Sequence, residues 1–138
     1  MKPTESFYYL ATPYSLYPVK GFLGWMCRLP GLKHLRLWLA FIVASRQAAL
    51  LVAAGVKVYC PIAHTHPIAV FSGMDPLSHD IWIPVDEPFM DAAYGLIVCM
   101  LPGWMQSKGI DIEIKRFRRA GKVVHFMRPG QVPGGLMP

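Results

Sequence analysis

Six consecutive apolar residues, Leu96-Ile97-Val98-Cys99-Met100-Leu101, run without a polar interruption and end at Pro102-Gly103. A strand with one wet face alternates in polarity. A strand that is apolar at every position is buried on both faces, the usual condition inside a parallel sheet covered by helices. Three other β-rich runs fit beside it. Phe7-Tyr8-Tyr9-Leu10-Ala11 is stopped by Thr12-Pro13, Val56 to Cys60 is halted by Pro61, and Val123 to Met127 precedes a Pro/Gly-rich tail. Between them, Leu35 to Ala54 is Leu- and Ala-rich and closes at Gly55, and Ser107 to Ala120 is helical and closes at Gly121. Asp86-Glu87-Pro88 reads as the start of a short helix, with Asp86 as its N-cap. The segment from Ala63 to Pro84, with three histidines and three prolines, reads as a long loop. The expected order is β-α-β-(loop)-α-β-α-β, an α/β three-layer domain with a short, mainly parallel sheet. Residues 20–33 read as an insertion and 129–138 as an extended tail of this one domain.

Composition narrows the function classes. The chain is 54% hydrophobic and 16% charged, which excludes a disordered polymer. Its net charge of +6 favours anionic partners such as nucleotides, nucleic acid or a membrane surface, but no Lys/Arg block interleaves with aromatics. A nucleic-acid polymer is therefore not expected as a partner. The longest apolar stretch, Leu35 to Ala54, carries Arg36, Arg46 and Gln47 and falls short of a clean membrane span. The start of the chain lacks an uninterrupted signal-peptide core. Cys27, Cys60 and Cys99 form no CxxC, and the last two sit in apolar runs, as small buried hydrophobes do. These features point to a reducing, cytoplasmic setting without a membrane partner.

Parallel sheets bind ligands outside the carboxyl ends of their strands, so the loops after Ala11, Cys60 and Leu101 are the candidates. One helix supplies a chemical group there. At about 100° per residue, Ile110, Ile114, Phe117 and Ala120 share an arc, with Asp111, Lys115, Arg118 and Arg119 opposite and Ile112 as the exception. Glu113 falls on the flank of the apolar arc, where a carboxylate is costly unless paired or used. Nearness to the helix N-terminus predicts that it is ionised. The plainer alternative is a glutamate that turns to solvent or caps an amide. Plain alternatives exist too for Asp86 and Ser107, as N-caps, and for Tyr9, as a core aromatic.

Ser107-Lys108-Gly109-Ile110-Asp111-Ile112-Glu113 follows an apolar strand and precedes Ala120-Gly121-Lys122-Val123-Val124. This resembles the signature of the nucleoside 2-deoxyribosyltransferase superfamily, and especially its nucleotide N-hydrolase branch. Tyr8-Tyr9-Leu10-Ala11-Thr12-Pro13 is similar to that superfamily's first strand and loop. Gly103-Trp104 before Ser107 is similar to an uncharacterised bacterial and phage branch. The resemblance implies a flavodoxin-like or Rossmann-like fold and cleavage or transfer at the N-glycosidic bond of a nucleoside or nucleoside 5′-monophosphate. It implies Glu113 as nucleophile and Tyr9 as the residue orienting it. Asp86 is the best match to an acid assisting the leaving base, with Glu87 or Asp91 as alternatives. Ser107 and Gly109 match a phosphate-receiving loop, and Thr12, Pro13 and His64 join them as substrate-binding candidates. No cofactor and no metal are implied, and a homo-oligomer is. Asp111 replaces the family's usual glycine, and Gly95 stands where an acid often precedes the third strand.

The chemistry suits those residue types. Breaking a C1′–N bond develops positive charge on the sugar, which a carboxylate stabilises or captures as a glycosyl ester. The departing base needs a proton, which an acid of raised pKa supplies. Three other readings compete. His64, His66, His79 and Asp80 form a metal site if the first two chelate from a strand end. The domain binds a nucleotide without turning it over. Gly21-Phe22-Leu23-Gly24-Trp25-Met26, with Arg28 and Lys33 after it, is a membrane or partner contact, for which packing on a second subunit is the expected form.

Overall fold

The computed structural model describes residues 6–15, 17–32 and 34–136. Four strands, β1 (Tyr8–Ala11), β2 (Val58–Tyr59), β3 (Gly95–Cys99) and β4 (Val123–Met127), form one sheet in the order β2-β1-β3-β4, every pair parallel. Among the described residues five helices accompany it: α1 (Gly21–Met26), α2 (Leu35–Ala53), α3 (Pro61–Ser72), α4 (His79–Ala92) and α5 (Lys108–Arg119). A 3-10 turn at Trp104–Gln106 leads into α5.

Alternation along the central strands builds two cores. Tyr8 and Leu10 of β1 and Ile97 and Cys99 of β3 pack with Ala44 and Leu51 of α2 and Ile62 of α3. Tyr9, Ala11, Leu96 and Val98 point the other way, against Met90 of α4 and Ile110 and Phe117 of α5. The sheet is thus the middle of three layers, the α/β architecture expected from the apolar run Leu96–Leu101. Cys60 and Cys99 are buried and unpaired, and burial pushes their thiols up to about 11 and about 12, which makes both inert.

Helix α2 is long and apolar enough to cross a membrane by length and composition, its polar residues notwithstanding. In this fold Leu37, Ala40, Ala44, Gln47 and Leu51 form its buried stripe, and Gly55 ends it in the left-handed conformation at φ 81°. Gln47 Oε1 accepts the Gly130 amide at 2.8 Å, fastening the tail to this helix. That tail is less extended than its composition suggests, because it turns at Pro129–Gly130 and again at Gly134–Gly135 and brings Leu136 against the core.

The larger correction concerns residues 63–84. Only residues 73–78 form a loop: α3 and most of the first half of α4 occupy the rest. Pro61 starts α3, where its missing N–H costs nothing. Pro84 and Pro88 lie inside α4, four residues apart on one exposed side. Water can reach the carbonyls they leave unbonded there, so the helix tolerates both. It follows that Asp86 is not an N-cap but the eighth residue of α4.

Gly95 is also explained. A Cβ there would lie 2.5 Å from Val123 Cγ1 and 2.9 Å from the Val123 carbonyl oxygen. The close approach of β3 and β4 excludes any side chain, acidic or not. Gly95→Ala is expected to cost about 1–3 kcal/mol by overpacking. Urea denaturation checks this, and an unchanged midpoint would contradict it.

Candidate functional site

In a 2-1-3-4 sheet the connections leave β1 and β3 in opposite directions, opening a crevice at their carboxyl ends. A cleft of about 260 Å³ lies there. Tyr9, Thr12, Asp86, Ser107, Gly109 and Glu113 all line it, so six of the eight residues singled out from sequence converge on one space. Pro13 and His64 do not line it. Pro13 is fully buried behind Thr12 and turns the chain out of β1, whereas His64 is exposed on α3.

Glu113 is the sixth residue of α5, beyond the first turn, where the helix dipole has little reach. Burial dominates instead and pushes its carboxyl up to about 8, with the neighbouring Asp86 charge adding to the rise. The expectation of a Glu113 kept ionised by the helix N-terminus is therefore overturned. Tyr9 Oη donates a hydrogen bond of 3.0 Å to Glu113 Oε1 and works in the opposite direction. Burial, then the charges of Glu113 and Asp86, hold the Tyr9 phenol far above its ordinary range, so it serves only as a proton-bearing donor. Its ring is fully buried between β1 and α5 and tilts against Phe117 at 5.9 Å. The carboxylate is thereby oriented from the centre of the sheet.

Asp86 is the other acid. Desolvation raises it to about 6, opposed by a hydrogen bond from Tyr59 Oη at 3.2 Å and by His64. Tyr59 Oη also meets His64 Nδ1 at 3.0 Å. Since Tyr59 Oη has one proton and gives it to Asp86, the His64 ring donates to Tyr59 from Nδ1. A file of hydrogen bonds therefore leads from an exposed imidazole to Asp86. Phe89 stacks on the Tyr59 ring at 4.1 Å and 3°, fixing it. The alternatives for Asp86 are otherwise occupied: Arg116 binds Glu87 at 2.7 Å and Asp91 at 2.9 Å. Glu87 reaches the cleft rim with its charge already paired, and Asp91 lies outside.

Thr12 Oγ1 is buried in the cleft wall without a hydrogen-bond partner among the described residues, a polar group left for a ligand or water to satisfy. Ser107 Oγ accepts from the Ile110 amide at 3.3 Å and so acts as the N-cap of α5. Gly109 follows it in the first turn, open to the cleft, where an added Cβ would meet only Ser107 Oγ at 3.8 Å. The opposite wall is apolar, with Ile62, Leu77, Trp82 and Ile83. Trp82 is anchored by its indole N–H to the Asp75 carbonyl at 2.8 Å. This wall and Tyr59 escaped the sequence reading, because the segment carrying Leu77, Trp82 and Ile83 reads as loop and Tyr59 is one more β-former in a strand.

The histidine cluster does not assemble. His64 and His66 sit two apart on a helix, about 200° around its axis, so they face different surroundings. His66 is buried with Nδ1 on Tyr14 Oη and its ring stacked on Phe41. Among the described residues no group of three or more His, Cys, Asp or Glu side chains is placed to hold a metal ion.

Fold and site together define a class: a three-layer α/β protein with a tyrosine-oriented glutamate and a second desolvated acid in the crevice beside its central strands. Residues 6–128 match the family described as Domain of unknown function (DUF1937), and the chain belongs to that family. No curated protein matches the chain.

Proposed function

We propose that this protein cleaves or transfers the N-glycosidic bond of a nucleoside, with Glu113 as the carboxylate facing the anomeric carbon and Asp86 as the acid for the leaving base. The observation that carries this reading is the pairing in one crevice of Glu113, held by Tyr9, with Asp86, held by Tyr59. The resemblance in Ser107 to Glu113 and Tyr8 to Pro13 supports the same roles.

Two acids raised to about 6 and about 8 share a single proton between those pH values. Reaction requires that singly protonated pair with the proton on Asp86. A base seated over Asp86 strips its remaining solvent, and positive charge developing at C1′ favours ionised Glu113. Both effects move the proton from Glu113 to Asp86. Asp86 then protonates the base nitrogen as the C1′–N bond breaks, and Glu113 stabilises C1′ or bonds to it. Water or a second base completes the turnover, and the proton returns to Asp86 from the nucleophile or through His64 and Tyr59. Trp82 and Ile83 offer the apolar surface against which a base packs.

Within this reading the substrate is the free nucleoside rather than its 5′-phosphate. The one described cationic Lys or Arg side chain in the lining, Arg116, is claimed by Glu87 and Asp91. The Asp86–Glu113 pair, holding a single proton, adds negative charge. Comparing kcat/KM for each nucleoside and its 5′-monophosphate tests this. A preference for the nucleoside of roughly tenfold or more is expected from like-charge repulsion in a partly desolvated cleft. Preference for the monophosphate would overturn it.

A further inference from the structure

The charge of this chain is divided unevenly. Residues 1–74 hold seven Lys and Arg against Glu5 alone, whereas residues 75–138 hold seven of each sign. The whole net charge of +6 therefore belongs to the first half, and from Ser6 to Met74 there is no acid at all. Helix α1 lies within this acid-free stretch, and it buries none of its residues. Phe22 is 72% exposed, Trp25 56% and Leu23 46%. Phe22 and Trp25 stack on each other at 5.7 Å, forming one apolar knob. Exposed Lys20 and Arg28 stand at its two ends, with no salt bridge to either among the described residues.

A helix of six residues has little stability of its own. Three large apolar side chains in water on such a helix mark a surface that is covered in use. A second copy is a poor cover. An isologous contact through α1 would set Lys20 and Arg28 against the same residues of the partner, with no acid on α1 or its flanks to offset them. A nucleic-acid polymer is a poor one too, since Phe22 and Trp25 already spend ring faces on each other. Aromatic and aliphatic side chains on a short helix between basic flanks suit the boundary of an anionic bilayer. The rings enter the headgroup region, and the ammonium and guanidinium groups meet lipid phosphates.

We propose that α1 docks this domain onto the surface of an anionic phospholipid bilayer. The whole protein would be sedimented with vesicles of phosphatidylcholine alone and of phosphatidylcholine with phosphatidylglycerol. Binding roughly tenfold or more stronger to the anionic vesicles, weakened by salt and released by an alkaline carbonate wash, is expected. Phe22→Ser with Trp25→Ser should weaken it roughly tenfold or more without moving the melting temperature, because neither residue is buried. Lys20→Glu with Arg28→Glu should remove the preference for anionic lipid. Equal binding to both vesicles, or to neither, would overturn the proposal. Retention after the carbonate wash would overturn it in favour of α2 as a span. A dimer or a nucleic-acid complex broken by the same substitutions, without vesicle binding, would replace it with that partner.

Discussion

Glu113→Gln is expected to stabilise the folded protein at pH 8.5 by on the order of 3 kcal/mol and to leave it unchanged at pH 4. The sign follows from the direction of the shift. Glu113 is raised from 4.5 to about 8, so the folded protein holds a proton that the unfolded chain releases as pH climbs through 4.5. Stability falls across that window and levels off above about 8, while below 4.5 both states are protonated and nothing is lost. Glutamine has no proton to lose, and its carbonyl still accepts from Tyr9 Oη. The melting temperature at pH 8.5 should rise by about 10 °C in a domain of this size. Asp111→Asn, removing an exposed acid paired with Lys115 at 2.6 Å, should give no such gain. Equal melting temperatures for wild type and Glu113→Gln at pH 8.5 would show that Glu113 is not held in a desolvated site.

The second large effect is on the pH profile of turnover. The wild type should give a bell-shaped kcat/KM with limbs near 6 and 8, the two values of the carboxyl pair. Asp86→Asn removes the acid, so the alkaline limb should disappear. The like charge beside Glu113 goes with it, so the remaining acid limb should lie below the wild-type value for Glu113. With no proton donor, the rate should fall by roughly 10²–10⁴-fold for purine or pyrimidine leaving groups. It should fall much less for a nitrophenolate, which departs without a proton. An unaltered alkaline limb in Asp86→Asn would assign the acid elsewhere.

Much of this arrangement is legible in the amino-acid sequence. The six-residue apolar run of β3, the Gly55 and Gly121 stops and the β-rich start at Tyr8 are local signals that tertiary packing reinforces, so the three-layer sheet followed from them. Glu113 was visible because a lone acid on the flank of an apolar helical arc breaks the pattern. Tyr9 needed the resemblance, since nothing local separates it from Tyr8, yet β1 sends Tyr8 to the α2 side and Tyr9 to the α5 side.

What was illegible has physical causes. Proline density between Ala63 and Pro84 reads as loop because a single sequence does not reveal that Pro84 and Pro88 fall on the solvent side of α4. That hid Trp82 and Ile83 and made Asp86 look like a cap. The charge state of Glu113 depended on how much protein surrounds it, which outweighs a dipole already faded by the sixth residue. Tyr59 became a site residue only when β2, α3 and α4 brought it to His64 and Asp86.

Glu113 is proposed to act on an N-glycosidic bond. Its most direct test is chromatography of free base after incubating wild type and Glu113→Gln with a panel of ribo- and deoxyribonucleosides, acceptor bases present and absent. Base release or exchange by the wild type is expected, with a loss of roughly 10³-fold or more in Glu113→Gln. Equal release by both proteins, or silence from both across the panel, would contradict it.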